Sequence, residues 1–585
     1  SRLGAKDMTI LENNCMQSIA TSAGYMTSPL IAGLAAYMMV TNVVLPWWQM
    51  MSFNVVLSVL GVLVAFPMKR RFINDEQQPF PEGRACGVLL DTLYTSDAKV
   101  GVFKAKVLVV SGLFATVVKI LSGESFMTLF QERILRLPKV VWLSENLDKV
   151  YYDLVDAGKI RMFKLFGSVD PRQVGLSPTL DLAMFGAGGL TGLRACTNMF
   201  AGMIVCWAIL VPWFIIQGDI SPKTGSVGLG NAVWNQRDIL AKWPLWPGIG
   251  LIVCASLLSF FAKPKVIITA FKGLFTGKRA GGDVLKHIEL PLWISLVGVP
   301  IVGAIGVWMA HEWFGVKWHF GAMAIPLIIV LTLIAANATA LTSITPTGTM
   351  SKITQLTFGG LDRAEALKTG VPPNAAVNLM TACMTTEVAS NASNLLMDIK
   401  PGYMLGAKPR QQVICHCMGI LAGAMASTPP FYLLFLSDPA KTGLPLTERL
   451  PSSQFSFTAA FQWKGISDLI SGAGTSLPHS AMWAMGIAAA LGIIFEIVRI
   501  VSRNRSPFSP LAFGLGFVLP PDSVMAMFAG AGFFAIMTAI YGKRKGSTGR
   551  LLWVETQEPI CAGLIAGFAL TGIADILVKV LVLER

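Results

Sequence analysis

Charge is scarce in this 585-residue chain: Asp, Glu, Lys and Arg make up 14% of it, against about 25% in an average soluble domain. The acidic side is thinnest, with 33 Asp and Glu facing 47 Lys and Arg, and there are only five His. So few ionic groups, with 53% hydrophobic residues, exclude a chain of soluble domains. The nine cysteines are scattered, mostly in apolar runs (Cys196, Cys206, Cys254, Cys383, Cys561), which excludes a disulfide framework and fits small buried thiols. No Gly-x-x-x-x-Gly-Lys-Ser/Thr loop is present, which disfavours nucleotide-driven pumping.

What the chain has is long apolar runs. Clear ones are Gly24–Leu45, Trp47–Pro67, Val107–Leu121, Met199–Gln217, Leu245–Phe261, Leu290–Ala310, Met323–Ala340, Val413–Pro429, Met482–Val498, Met525–Tyr541 and Ile560–Val582. Gly-rich or more polar ones are Gly83–Thr95, Gly175–Ala195, Pro373–Leu396 and Phe508–Pro520. At roughly 20 residues per crossing the length rule predicts about 14 to 16 segments, an all-α polytopic membrane protein. The net charge of +14 sits in short loops, as the positive-inside rule expects. No aromatic-interleaved basic face supports nucleic-acid binding, and the short loops suit a bacterial plasma membrane.

Composition along the chain predicts a transmembrane half over 1–260, a basic connector over 261–289 and a second half over 290–585. Helical spacing of Leu147, Val150, Tyr151, Leu154 and Val155 predicts a pair of surface helices within 131–172 on the basic side. A weak repeat sets Ser177–Gly189 beside Pro520–Gly532, sharing Pro, Ala-Met-Phe and a final Gly. Gly83–Thr95 is short and carries Arg84 and Asp91, so a re-entrant element is expected there.

Polar residues inside apolar segments cost free energy unless they are buried in protein or line a wet cavity. Four constellations fit a path for a polar solute. Asn13, Gln17 and Thr21 share a helical face beside Glu12, a carboxylate–amide set suited to a zwitterion; the alternative is a solvated N-terminal helix. Pro178, Asp181 and four glycines break a span that ends in Arg194, as in discontinuous helices that bind ions; Asp181 is a candidate partner for a cation, a proton or Arg194. Asn337, Thr339, Thr342, Ser343, Thr345, Pro346 and Gly348 predict a helix that unwinds in the membrane. Cys383, Glu387, Asn391 and Asn394 form one stripe, in which Glu387 is the leading candidate for a proton-coupling carboxylate. His416 is a candidate proton relay. Its neighbours Cys415 and Cys417, two apart on a helix, point to different faces and are not expected to share a metal.

The most specific string is Asp398-Ile-Lys-Pro-Gly-Tyr-Met-Leu-Gly-Ala-Lys-Pro-Arg-Gln-Gln412. It resembles the Asp-x-Lys-x-Gly-Tyr…Gly-Ala-x-Pro-Arg-x-Gln run of the oligopeptide transporter (OPT) superfamily, which includes the yellow-stripe-like metal-chelate transporters. Glu12-Asn13…Gln17, Phe80-Pro-Glu-Gly83, Gly186-x-Gly…Gly192-x-Arg194 and Ser343-Ile-Thr-Pro-Thr-Gly348 follow in the family's order, so the resemblance spans the chain. Departures are Arg84-Ala85 where Thr-Ala is usual, and Thr342-Ser343-Ile-Thr-Pro346 for Ser-Ser-x-x-Pro. The resemblance implies about 16 segments from repeated units, proton-driven uptake, and peptide or metal-chelate substrates.

Together these features predict a proton-coupled importer working by alternating access. Glu12, Asn13, Gln17, Asn337, Thr342, Ser343, Thr345, Asn391 and Asn394 are expected to bind solute, with Glu387, Asp181 and Arg194 compensating charge or coupling protons. No cofactor is expected beyond a proton gradient, and whether the solute carries a metal stays open. The expected partners are the bilayer and the solute; a homodimer also stays open. An intramembrane enzyme is the rival class, with His311, Glu312 and His319 its nearest approach to a catalytic set. A passive channel is the third reading.

Overall fold

The computed structural model describes residues 8–95, 98–136, 142–220, 239–240, 242–262, 291–342, 345–436, 443–451, 457–472, 478–502, 505–544 and 546–578. Most of the expected connector, and Ser343 of the expected solute site, lie outside them. Among the described residues there is no strand, only isolated bridges at Asn146–Thr179 and Leu165–Val169. Ten helical stretches there are long and apolar enough to cross a membrane, as the run lengths require.

Among the described residues, helices of eight or more residues are, in chain order, α1 (Ile10–Tyr25), α2 (Gly33–Thr41), α3 (Trp47–Lys69), α4 (Pro81–Thr95) and α5 (Ala98–Ser122). Next come α6 (Lys149–Asp156), α7 (Leu182–Thr191), α8 (Leu193–Met203), α9 (Leu245–Phe261) and α10 (Leu292–Phe314). Then follow α11 (Trp318–Thr342), α12 (Thr347–Thr369), α13 (Ala375–Leu405), α14 (Pro409–Phe435) and α15 (Thr458–Ser471). The last described helices are α16 (His479–Val501), α17 (Pro510–Val518), α18 (Pro521–Tyr541) and α19 (Gln557–Val578). Within 131–172 the described residues hold a single α-helix, α6, rather than the expected pair; the other regular pieces there are a wide-turn segment ending at Ile134 and a short 3-10 turn at Pro171–Val174.

The helices gather into two compact units, each interrupted in sequence. One comprises Ser1–Ala98 with Phe260–Thr475, the other Lys99–Ser259 with Ser476–Arg585. These units do not follow the linear division into 1–260 and 290–585.

The first unit is built around α13. Twenty-six of its residues are buried, among them Asn378, Thr381, Thr385, Glu387, Asn391, Asn394, Asp398 and Lys400. Helices α1, α2, α3, α4, α11, α12 and α15 pack on it, so its polar side chains meet protein. Pro401 lies inside α13. Proline cannot bond the carbonyl four residues back, which frees the Met397 oxygen. Gly83 of α4 lies directly over that oxygen, and a Cβ at Gly87 would meet Pro401 Cα at 3.1 Å. The fifteen residues of α4 rise only about 22 Å, short of a roughly 30 Å hydrocarbon core. They lean on α13 through Gly83 and Gly87. Near His311, Trp48 packs edge-on to Trp313 at 5.3 Å and Trp308 lies 6.0 Å from Trp313, a girdle of the kind found at membrane surfaces.

Helices α1 and α14 run in parallel. Gly419 and Gly423 of α14 meet Ile19, Ser22 and Ala23 of α1, the small-residue contact that lets backbones approach where lipid supplies no hydrophobic drive.

In the second unit the two repeat segments are packed on each other. Asp181 caps α7 by accepting from Met184 N at 2.9 Å, and Pro520 opens α18. Gly188 sits on Met527 and Gly530 sits on Phe185, a near-reciprocal contact between the matched Ala-Met-Phe stretches. Gly563 and Gly567 of α19 lie on α5 at Gly112.

Candidate solute and proton site

Among the described residues of the first unit, three clusters of polar side chains concern the site. In the first, Glu387 is 3% exposed and accepts from Ser58 Oγ of α3 at 3.1 Å and Asn391 Nδ2 at 2.6 Å. A second Asn391 contact reaches the Glu387 carbonyl at 3.1 Å. Asn54 of α3 donates to Met26 O at 2.8 Å. The four-residue spacing of Glu387 and Asn391 stacks them on one face of α13, and Gly61 lets α3 come close beside them.

The second cluster surrounds Asp398. Its carboxylate accepts from Gln17 Nε2 at 2.9 Å and lies 3.2 Å from His416 Nδ1, while Gln412 Nε2 donates to its carbonyl at 2.8 Å. Asp398, Gln412 and His416 are all buried. Gln17 Oε1, Gln412 Oε1 and His416 Nε2 each lack a hydrogen-bond partner among the described residues, as do Ser393 Oγ, Ser18 Oγ and both amide atoms of Asn14. Buried polar atoms are satisfied in more than nine cases out of ten. Such a group on three adjoining helices marks a place where water or a polar solute completes the bonding.

The third cluster joins the end of α11 to α13. Gln78 donates to Asn337 at 3.0 Å, Lys400 donates to the Gln78 carbonyl at 2.8 Å, and the Thr339 and Thr345 hydroxyls lie 2.9 Å apart. The helix break expected near Pro346 falls between α11 and α12.

The structure brings Gln17, Asn337, Thr345, Asn391, Asn394 and Glu387 into the one unit. Asn394 donates to Ser390 at 3.4 Å. Asn13 is half-buried on α1, and Thr342 ends α11. Glu12 stands at the exposed start of α1, where it accepts from Thr9 N at 2.7 Å and Thr9 Oγ1 at 2.9 Å in a capping box, the structural role that spacing alone also allows. Asp181 and Arg194 belong to the second unit and stand at opposite ends of α7. Arg194 donates to the Ser506 and Pro507 carbonyls.

Sequence reasoning placed Asp398, Lys400 and Gln412 in a motif without a site role, and gave none to Asn14, Ser18, Asn54, Ser58 and Gln78. For Asn14, Ser18 and Ser22 a signal exists, since they repeat every four residues like Asn13, Gln17 and Thr21. The two stripes are adjacent and equally polar, so periodicity does not select the buried one.

The rival catalytic residues are engaged locally. His311 Nδ1 lies 2.9 Å from Val316 O, its ring lies 4.5 Å from that of Trp318, and His319 contacts Glu365 at 3.0 Å. Among the described residues there is no group of three or more His, Cys, Asp or Glu placed to hold a metal.

Fold and site together define a polytopic membrane protein organised around a buried, polar helix. Residues 2–578 match the family OPT oligopeptide transporter protein, and the chain belongs to that family. It is similar to a Haemophilus influenzae protein named as a candidate oligopeptide transporter, 24% identical over 97% of this chain and 87% of the relative. A Saccharomyces cerevisiae protein with the same style of name, YGL114W, is 20% identical over 82% of this chain and 74% of its own length. An Arabidopsis thaliana protein named as a candidate metal-nicotianamine transporter, YSL8, is 21% identical over 82% and 65%.

Proposed function

We propose that this chain imports short peptides or peptide-like metal chelates across a bacterial plasma membrane, by proton symport and alternating access. The observation that carries the reading is the Asp398 cluster. A buried carboxylate on the most buried helix is held by Gln17 and His416, and the surrounding amide, hydroxyl and imidazole atoms have bonding capacity to spare. A peptide or an amino-acid chelate offers matching amide, carboxylate and ammonium groups. Glu387, with only neutral donors about it, supplies a carboxyl that can gain and lose a proton without a fixed countercharge. In this reading Gln17, Asn337, Thr345, Asn391 and Asn394 contact solute, and Glu387 moves the proton. The break Thr191–Leu193 between α7 and α8 is the segment that would move between two states, as differential solute contacts require.

Support from similarity is consistent with both solute classes, because relatives are named for peptides and for metal-nicotianamine complexes. The test is uptake into proteoliposomes under an imposed pH gradient, comparing a tetrapeptide, glutathione and an iron chelate. Uptake of at least one that collapses with the gradient is the expected result. Accumulation of none, or flux indifferent to pH, would end the symport reading; the latter would favour a channel.

A further inference from the structure

The second unit contains a cavity of about 610 Å³ whose walls are unlike the polar clusters described above. One wall is a stripe of α5, Phe103, Lys106, Val107, Val110 and Phe114, at the three- and four-residue steps that share a helical face. The other walls come from α7, α18, α19 and the turn before α19, and include the rings of Phe185, Phe533, Phe534 and Trp553. Ser111 is satisfied by the Val107 and Leu108 carbonyls at 2.9 and 3.0 Å. Among the described residues Lys106 is the single charged one in the lining. It is exposed, stands where the apolar run of α5 begins, and has no ion pair among the described residues. The size falls within the range of roughly 300–1,000 Å³ typical of ligand sites.

These walls offer a peptide or chelate little to bond: Lys106, the Trp553 indole and the already bonded Ser111 are their polar side chains, and the rest is apolar. The slot opens beside the exposed apolar face of α5, where Val109, Val110, Leu113 and Val117 are all more than half exposed. Its natural occupant is therefore a hydrocarbon chain from the bilayer. The lone cation at the mouth then selects the head group, because a lysine at the membrane surface attracts anionic lipid. We propose that this slot holds an acyl chain of an anionic phospholipid, with the phosphate over Lys106.

The full chain, extracted in detergent and stripped of lipid, is incubated with phosphatidylglycerol or phosphatidylcholine carrying a diazirine in one acyl chain, and illuminated. Phosphatidylglycerol is expected to label peptides containing Phe185 and Phe533–Phe534 well above those of α16, an equally lipid-exposed apolar helix. Lys106→Gln should reduce that labelling about five-fold, the value of about one lysine–lipid contact, and leave phosphatidylcholine unaffected. Val110→Trp, which fills the slot from an exposed position, should remove labelling by both lipids. Equal labelling by the two lipids, equal labelling of α16, or insensitivity to either substitution overturns the proposal. So does oxidative dimerisation of Val110→Cys, which would make the groove a contact between copies.

Discussion

Gln17 donates to the Asp398 carboxylate at 2.9 Å although 381 residues separate them. This bond fastens the first helix of the chain to the central helix α13, and His416 completes the cluster from α14.

Replacing Asp398 with Ala should therefore destabilise the first unit. His416 would be left with a buried nitrogen unpaired and half-buried Gln17 with only its longer bond to Thr21, at a combined cost of about 3 kcal/mol. Asp398→Asn keeps an acceptor for one of them and should cost less. Thermal unfolding in detergent checks the order, wild type above Asn above Ala; Ala unfolding with wild type would refute it.

Glu387→Gln keeps an oxygen for Ser58 and Asn391, so its stability should change by less than about 1 kcal/mol. Uptake driven by a pH gradient should nonetheless fall to the level of empty liposomes, since an amide does not titrate. Gradient-driven uptake persisting in this variant would move proton coupling elsewhere, with Asp398 next in line.

Gly61 carries α3 past α13: a Cβ there would lie 2.7 Å from Val388 O and 2.9 Å from Asn391 Cβ. Gly61→Ala should cost about 1–3 kcal/mol by overpacking. It should also disturb Glu387, whose partner Ser58 lies on the same helix. The paired readout is the unfolding midpoint and gradient-driven uptake, both lowered; an unchanged midpoint would contradict the contact.

Cys15 of α1 and Cys415 of α14 are neighbours across the α1–α14 contact. In a background lacking the other cysteines, a mild oxidant should join them, shown by resistance to separation after protease cleavage between the two positions. If uptake stops on oxidation and returns on reduction, α1 and α14 must part during the cycle. Failure to cross-link would place the helices differently.

At the start of α11, outside its apolar span, Lys317 donates to Glu365 at 2.9 Å and to Asp362 at 3.2 Å. The Lys317 hydrogen bond, with help from His319, holds the Glu365 carboxyl below its usual value of 4.5. A lowered carboxyl stabilises the fold above that usual value and loses its contribution as pH falls through the folded one. Amide protection at the end of α12, corrected for the intrinsic exchange rate, should thus be high at neutral pH and fall below about pH 4.5. Lys317→Gln should abolish the pH dependence.

Much of this architecture is legible in the residues. The run Trp47–Pro67 became α3, and Met525–Tyr541 lies within α18, because long apolar runs in a chain poor in charge leave few alternatives. The break near Pro346 and the capping role open to Glu12 follow from local chemistry. Helix α13 was less legible. The sequence suggests a span ending at Leu396 and a loop beyond, because Asp398, Lys400, Pro401 and Gly402 all discourage a helix in lipid. Here Lys400 finds the Gln78 carbonyl, Gln412 finds Asp398 O, and the carbonyl freed by Pro401 faces Gly83. Those partners are distant in sequence, so the helix runs on to Leu405 for reasons no local pattern contains. The same holds for α12, too polar to register as an apolar run yet packed along α13.

The interleaving of the two compact units governs how the chain matures. Lys99–Ser259 belongs with Ser476–Arg585, so the earlier stretch leaves the ribosome more than two hundred residues before its counterpart exists. Gly188 then waits in the bilayer without Met527, and Gly112 without Gly563. Insertion and assembly are thereby separated in time, and a truncation after Thr475 should leave one finished body beside a set of orphaned helices open to quality-control proteases.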